Sequence, residues 1–386
     1  MRYVEFANWR LSKVGLGTSQ FANPGWGYGP GYMPHDLVRR AIDLGITHFD
    51  TSDFYGAGHS ERILGAALGD VEGVLVATKF FNVAPSTWLV MARARASAER
   101  LGGPLGLCYL DWVNPLVNDR SLMAGMRRLR AKGLVAEVGV SSYDLARWQA
   151  AERHLGAPVL VNQVPYNLLR RDAEEALLPW AAAQGRLIVA AQPFATGFLS
   201  GAYHRGKRVT GPWRTPDPLY SSDYLRRTAE LVGTLDEVAR AHDASVAQVA
   251  LAFVLRHPNV VAIPGAATAG QLAENAEAAD LELKEDECQG LAEAASRCPA
   301  PRAGARPRLQ AVKHWVRGAR LLAAMVREDR RSKLSVPHGQ AENGEATAQP
   351  AGRVISEKDR HGPGDMRAQR RAAAGKNSLA SGQTRA

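Results

Sequence analysis

Residues 47–79 read THFDTSDFYGAGHSERILGAALGDVEGVLVATK. The stretch opens on a short apolar run ended by Asp50 and closes on a second, VLVATK, ended by Lys79. Between them SERILGAALG has a helical pattern and stops at a glycine, a residue suited to a C′ cap. Apolar runs that do not alternate are what strands buried on both faces look like, as in a parallel sheet. The stretch therefore reads as one strand–helix–strand unit.

The same alternation continues in both directions. Further strand-like runs are KVGLG (13–17), YLDWVN (109–114), AEVGVSS (136–142), PVLVNQ (158–163), RLIVAAQ (186–192) and VVAIPG (260–265). Helical stretches such as HDLVRRAIDLG, LMAGMRRLRAKG and LLPWAAAQG separate them. Eight strand–helix units in about 280 residues predict a (β/α)8 TIM barrel over residues 1–298. A doubly wound dinucleotide fold fits less well, because GLGTSQF after the first run has no GxGxxG pattern. Barrel active sites lie at the C-terminal ends of the strands. The polar residues at those ends are Asp50, Lys79, Asn114, Ser141 with Ser142, Gln163 and Gln192. Any one of them alone is an ordinary way to end a buried strand; together they mark a candidate mouth.

Three of these positions, with the loop that follows Asp50, suggest a chemistry. A phenol has a pKa of about 10 in water and is a poor acid near neutrality. An ammonium beside Tyr55 favours the phenolate, and a carboxylate keeps that ammonium charged. Tyr55, Lys79 and Asp50 thus form a candidate proton donor for an oxygen that becomes an alkoxide. The alternative is a buried ion pair with no chemical role.

At this point the chain resembles the aldo-keto reductases, and the resemblance runs from about Leu11 to Leu291. It is carried by VGLGTSQF (14–21), FDTSDFYGAGHSERILG (49–65), VATKF (76–80), VGVSSYD (138–144), NQVPYNLL (162–169), QPFATGFLSG (192–201) and IPGAATAGQLAEN (263–275). It implies nicotinamide-dependent reduction of small carbonyl compounds by direct hydride transfer, with Tyr55 as general acid, Lys79 as its partner and Asp50 holding Lys79. It also implies that Thr18, Ser141, Ser142 and Gln163 surround the nicotinamide end. Gln192, Pro193, Phe194, Gly197, Leu199 and Arg214 then follow the pyrophosphate, and Gly265, Gln271, Glu274 and Asn275 the adenosine end. A helix beginning near Thr268 offers free N–H groups to phosphate.

The chain departs from the usual family pattern in three places. Gly265, Ala266 and Gln271 stand where many members carry cations for a 2′-phosphate. The GAxxxxQLxEN arrangement is similar to the branch containing potassium-channel beta subunits, so NADP(H) is expected and NAD(H) stays open. Ala191 stands where an aromatic ring usually stacks on the nicotinamide. Asn114 stands where a histidine usually orients the substrate; an amide can donate a hydrogen bond but cannot carry a proton. These departures keep a second reading open, a cofactor-binding, redox-sensing subunit with little turnover. Trp26, Phe54, Phe81 and Trp88, with Tyr28 and Tyr32, are candidate substrate-side aromatics.

The formal net charge is +10, yet from Pro301 onward there are 18 Lys and Arg against 7 Asp and Glu, leaving 30 against 31 before it. The near-neutral barrel disfavours nucleic acid as its partner, while the tail is suited to acidic partners. Within that tail Val312, Val316, Ala319, Ala323 and Val326 recur at helical spacing, predicting a basic amphipathic helix in 299–332. Residues 333–386 have few large apolar side chains and read as a disordered basic C-terminal tail. Three unpaired-looking cysteines, Cys108, Cys288 and Cys298, predict neither a disulfide framework nor a metal site, and fit a reducing cytoplasm. MRYVEFANWR has no signal-like apolar core, and no run of about 18 apolar residues predicts a membrane span.

Overall fold

In the computed structural model the described residues are 1–22, 33–81, 84, 86–111, 119–210 and 214–299. Asn114, Trp26, Tyr28, Tyr32 and everything from residue 300 on, including the expected basic helix and tail, lie outside them. The side chain of Phe81 does as well.

Eight parallel strands form the barrel: β3 (Leu16–Gly17), β4 (His48–Asp50), β5 (Leu75–Phe81), β6 (Leu105–Asp111), β7 (Val135–Ser141), β8 (Val161–Pro165), β9 (Leu187–Ala191) and β10 (Val260–Ala262). Each pairs with its sequence neighbour. Closure comes from a parallel bridge between Val14 and Ala262, with Gly15 N donating to Ala262 O at 2.8 Å. An antiparallel hairpin, β1 (Tyr3–Phe6) and β2 (Trp9–Ser12), precedes the barrel. Its Phe6 and Leu11 pack against Leu75, Leu107, Leu187 and Val261 inside the barrel and close the bottom.

Side chains alternate along a strand, so each barrel strand has an inner and an outer row. Leu75 and Ala77, Leu107 and Tyr109, and Leu187 and Val189 fill the interior. Cys108, Leu110, Val138 and Val140 face outward, onto Leu122, Met126 and Leu129 of α4 (Asp119–Ala131) and onto Trp148, Ala151 and Leu155 of α5 (Leu145–Leu155). Continuing the inner row toward the C-terminal ends brings Asp50, Lys79, Asp111, Ser141, Gln163 and Ala191 to one mouth. The helices start on side-chain caps. Asp144 accepts from Arg147 N at 2.8 Å, and Ser245 opens α9 (Val246–Leu255) with a capping box.

The fourth barrel strand differs from its expected bounds of 109–114. It begins at Leu105, and its described part ends at Asp111, paired with Phe81. Gly106 made its start look like a break. A Cβ there would stand 2.7 Å from Leu75 Cδ1 and 3.3 Å from Val76 O, so the close approach of β5 requires glycine.

Candidate active site

At the mouth, a cavity of about 660 Å3 runs from the inner ends of the strands to α10 (Ala269–Glu277). At its floor, the Lys79 ammonium donates to Asp50 Oδ1 at 2.5 Å and to Thr51 O at 3.0 Å, and it lies 5.1 Å from the centroid of the Tyr55 ring. Gln163 Nε2 donates to Asp50 Oδ2 at 2.7 Å. Sequence neighbours fix the loop that carries Tyr55. Ser52 Oγ donates to Lys79 O at 3.0 Å, Tyr55 N donates to Ser52 O at 3.1 Å, and Arg93 of α3 (Thr87–Leu101) grips Asp53 bidentately at 2.6 and 2.8 Å.

The electrostatics follow from this packing. Burial disfavours the Lys79 ammonium, but the Asp50 carboxylate, helped by Tyr55 and Asp111, outweighs it and the pKa rises. Lys79 therefore stays charged. Tyr55 departs from the sequence expectation of a lowered pKa. Burial of the phenol is the largest influence and pushes it up, Lys79 pulls it down, and Asp50 and Asp111 push it up again. The net direction is upward, which keeps the phenol protonated at neutral pH.

Sequence reasoning missed Asp111. It lines the cavity with Ser141, and burial raises its pKa against the pull of Lys79 and Ser141. One signal was available: an Asp within an apolar run is costly to bury unless it faces a polar space. Counting inward rows from Leu107 and Tyr109 picks it out.

Most of the other expected residues do line this cavity. On the strand side these are Thr18, Phe54, Ser141, Ser142 and Gln163, and on the loop after β9 they are Gln192, Pro193, Phe194, Gly197 and Arg214. Gly265, Gln271, Glu274 and Asn275 line the end nearest α10. Ser142 and Gln192 take φ of +63° and +52°, left-handed backbone that turns the chain sharply at the strand ends. Gly197, at φ +100°, sits where a side chain would be strained, and Arg214 Nε donates to the neighbouring Thr196 O at 3.1 Å. Lys207, on the same loop, is a second cation on the cavity wall that the sequence reading passed over.

Three placements differ from expectation. Leu199 is fully buried with Phe198, Leu231 and Phe253, beneath the loop rather than on the cavity. Trp88 stands in the first turn of α3 and is 70% exposed, because the buried face of that helix is formed by Leu89, Val90 and Arg93. At the start of α10, Thr268 Oγ takes the Gln271 N–H and Gln271 Oε1 takes the Ala267 N–H. Two donors that a phosphate was expected to use are thus already satisfied. Glu274 is held by Ser245 Oγ at 2.5 Å, and Asn275 Nδ2 reaches Gly265 O at 3.4 Å. Ala191 lines the wall where a stacking ring was expected to be missing.

The donor set fits a dinucleotide: polar side chains and turned backbone run along the cavity, two cations stand on its rim, and its volume suits a long ligand. Among the described residues no group of three or more His, Cys, Asp or Glu is gathered as for a metal ion. None of their helices alone is long and apolar enough to cross a membrane. One pair, α8 (Ala229–Ala241) and α9, is apolar enough in sum but bent by 91°.

Known proteins agree with this geometry. The model of the Aldo/keto reductase family matches residues 13–296. An uncharacterised oxidoreductase of Mycobacterium tuberculosis is 45% identical over 291 residues, covering 74% of this chain and 90% of the relative. The methylglyoxal reductase YeaE of Escherichia coli is 31% identical, covering 72% of this chain and 92% of its own. A crystal structure of an aldo/keto reductase from Klebsiella pneumoniae, in complex with NADP and acetate, superposes with a TM-score of 0.59 at 27% identity, covering 76% and 93%. The barrel, the Asp50–Lys79–Tyr55 floor and these matches make the chain a member of the aldo/keto reductase family.

Proposed function

We propose that the protein is an NADP(H)-dependent reductase of an aldehyde, a ketone or a sugar-derived carbonyl, with Tyr55 as its general acid. The observation that carries this reading is the Lys79 ammonium at the floor of the cavity, bonded to Asp50 Oδ1 and Thr51 O and 5.1 Å from the centroid of the Tyr55 ring. A structural ion pair has no need of a phenol on the wall of the same cavity.

When bound, the dihydronicotinamide supplies hydride to the carbonyl carbon. Tyr55 gives its proton to the carbonyl oxygen as negative charge develops there, and Lys79 stabilises the phenolate left behind. Asp50, fixed by Gln163, keeps Lys79 charged and aimed. Ser141, Ser142 and Gln163 are the groups we assign to the nicotinamide end. Arg214 and Lys207 we assign to the phosphates, and Glu274 and Asn275 to the adenosine end. The NADP-bound K. pneumoniae relative supports NADP(H) over NAD(H).

Oxidation of NADPH and of NADH over a panel of aldehydes and ketones tests the reading. Turnover that disappears in Tyr55→Phe supports it; equal rates in that variant sink it. Ala191 on the cavity wall favours one competing role, a redox-sensing subunit with little turnover. Tight NADPH retention with no hydride transfer to any carbonyl in a single turnover would decide for that role.

A further inference from the structure

The mouth holds one charge that this mechanism leaves unused. Asp50 and Lys79 neutralise each other across 2.5 Å, and Asp50's second oxygen is taken by Gln163. Asp111 stands on the same inner row, one strand along from Lys79, and lines the same cavity. Among the described residues it forms no ion pair. Ser141, a neutral neighbour on the same cavity wall, favours its charged form but supplies no countercharge. The reacting end therefore carries a net negative charge when Asp111 is ionised, and that charge lies close enough to influence both Lys79 and Tyr55. The two cations on the cavity wall belong to the long loop, where Arg214 is tied to Thr196 O and Lys207 lies 5.7 Å from the Tyr203 ring centroid.

We propose that Asp111 is a specificity-determining residue: it selects carbonyl substrates bearing hydroxyl or cationic groups near the carbonyl and rejects those bearing a carboxylate or phosphate there. The inference rests on the reductase reading and narrows its substrate class. Its physics is simple. A substrate hydroxyl or ammonium can donate to the Asp111 carboxylate, whereas a second anion in a poorly hydrated mouth meets uncompensated repulsion. Discrimination by repulsion is a common route to specificity.

The test uses three aldehydes of one shape, benzaldehydes carrying a meta carboxylate, carboxamide or amidinium, at several pH values from neutral to alkaline, because burial raises the Asp111 pKa. In the wild type, kcat/KM should rise from carboxylate through carboxamide to amidinium. Asp111→Asn should raise the carboxylate substrate relative to the amidinium one by on the order of tenfold to a hundredfold. Asp111→Glu, which keeps the charge, should retain the wild-type order, and NADPH binding to each variant reports whether the fold is intact. A carboxylate-to-amidinium ratio unmoved by Asp111→Asn, with the carboxamide still reduced, overturns the assignment of Asp111 and leaves the reductase reading standing. No turnover of the carboxamide or of any neutral carbonyl by the wild type overturns the reductase reading itself.

Discussion

Gln163 Nε2 lies 2.7 Å from Asp50 Oδ2, the oxygen that Lys79 does not use. The carboxylate is thereby held from two strands at once, β5 through lysine and β8 through the amide. Replacing Gln163 by Leu leaves that buried oxygen without this donor. It should cost roughly 1.5–3 kcal/mol, the usual worth of a hydrogen bond to a charged group. Denaturant unfolding measures it, and an unchanged midpoint would show that the bond carries no weight in solution.

Tyr55→Phe removes the proposed proton donor and little else, so kcat should fall by about 100- to 10,000-fold while stability holds. Lys79→Met should abolish activity and also destabilise the fold by about 3–5 kcal/mol, because Asp50 is left buried and unpaired. Adding Asp50→Asn to Lys79→Met should restore much of the stability and none of the activity. If stability does not recover in the double variant, the cost lies in packing rather than charge.

The Arg93–Asp53 pair is buried and anchors the loop two residues before Tyr55. Breaking it with Arg93→Met should cost about 3–5 kcal/mol through the stranded carboxylate. At temperatures where the variant stays folded, kcat should drop while the NADPH dissociation constant changes little. Equal losses in both would mean that the pair supports the whole mouth and not the Tyr55 loop.

His48 is fully buried inside the barrel, and burial, aided by the charge of Lys79, lowers its pKa from 6.5 to about 4. The unfolded chain then binds a proton that the folded protein refuses. Stability is complete above pH 6.5 and is lost as the pH falls through about 4. The loss is on the order of 3 kcal/mol at about 1.36 kcal/mol per pKa unit. Glu174 extends the window downward. Burial opposes its charge, but Arg171, Tyr166 and Arg256 hydrogen-bond it and bring its pKa from 4.5 to about 2, so its contribution disappears between those values. Unfolding free energy measured against pH in His48→Phe should lose the upper part of this acid slope. An unchanged slope would place the titrating group elsewhere.

Much of the fold was legible because buried parallel strands leave continuous apolar runs, and eight of them alternate with helices. The candidate catalytic floor was legible because Asp50, Lys79 and Tyr55 each stand beside such a run. What escaped has identifiable causes. The β1–β2 hairpin turns at Ala7 with a φ of +49°, not at the Asn-Gly pair that usually announces such a turn. The start of β6 was hidden by Gly106, and with it the inner row that leads to Asp111. Lys207 lay inside a loop too irregular for any periodicity to place it. The net direction of the Tyr55 pKa depends on how deeply its hydroxyl is buried, which no spacing encodes.

The hairpin that plugs the barrel also constrains how the site is served. Phe6 and Leu11 close the lower end, and above them the interior is filled by Leu75, Leu107, Tyr109 and Val189. On the proposed mechanism, a proton spent by Tyr55 returns through the mouth, the opening that would admit substrate and release alcohol, because the described residues beneath it pack the interior with apolar side chains. Recharging the acid and exchanging the reactants are therefore competing uses of one doorway, so a tightly held product delays both.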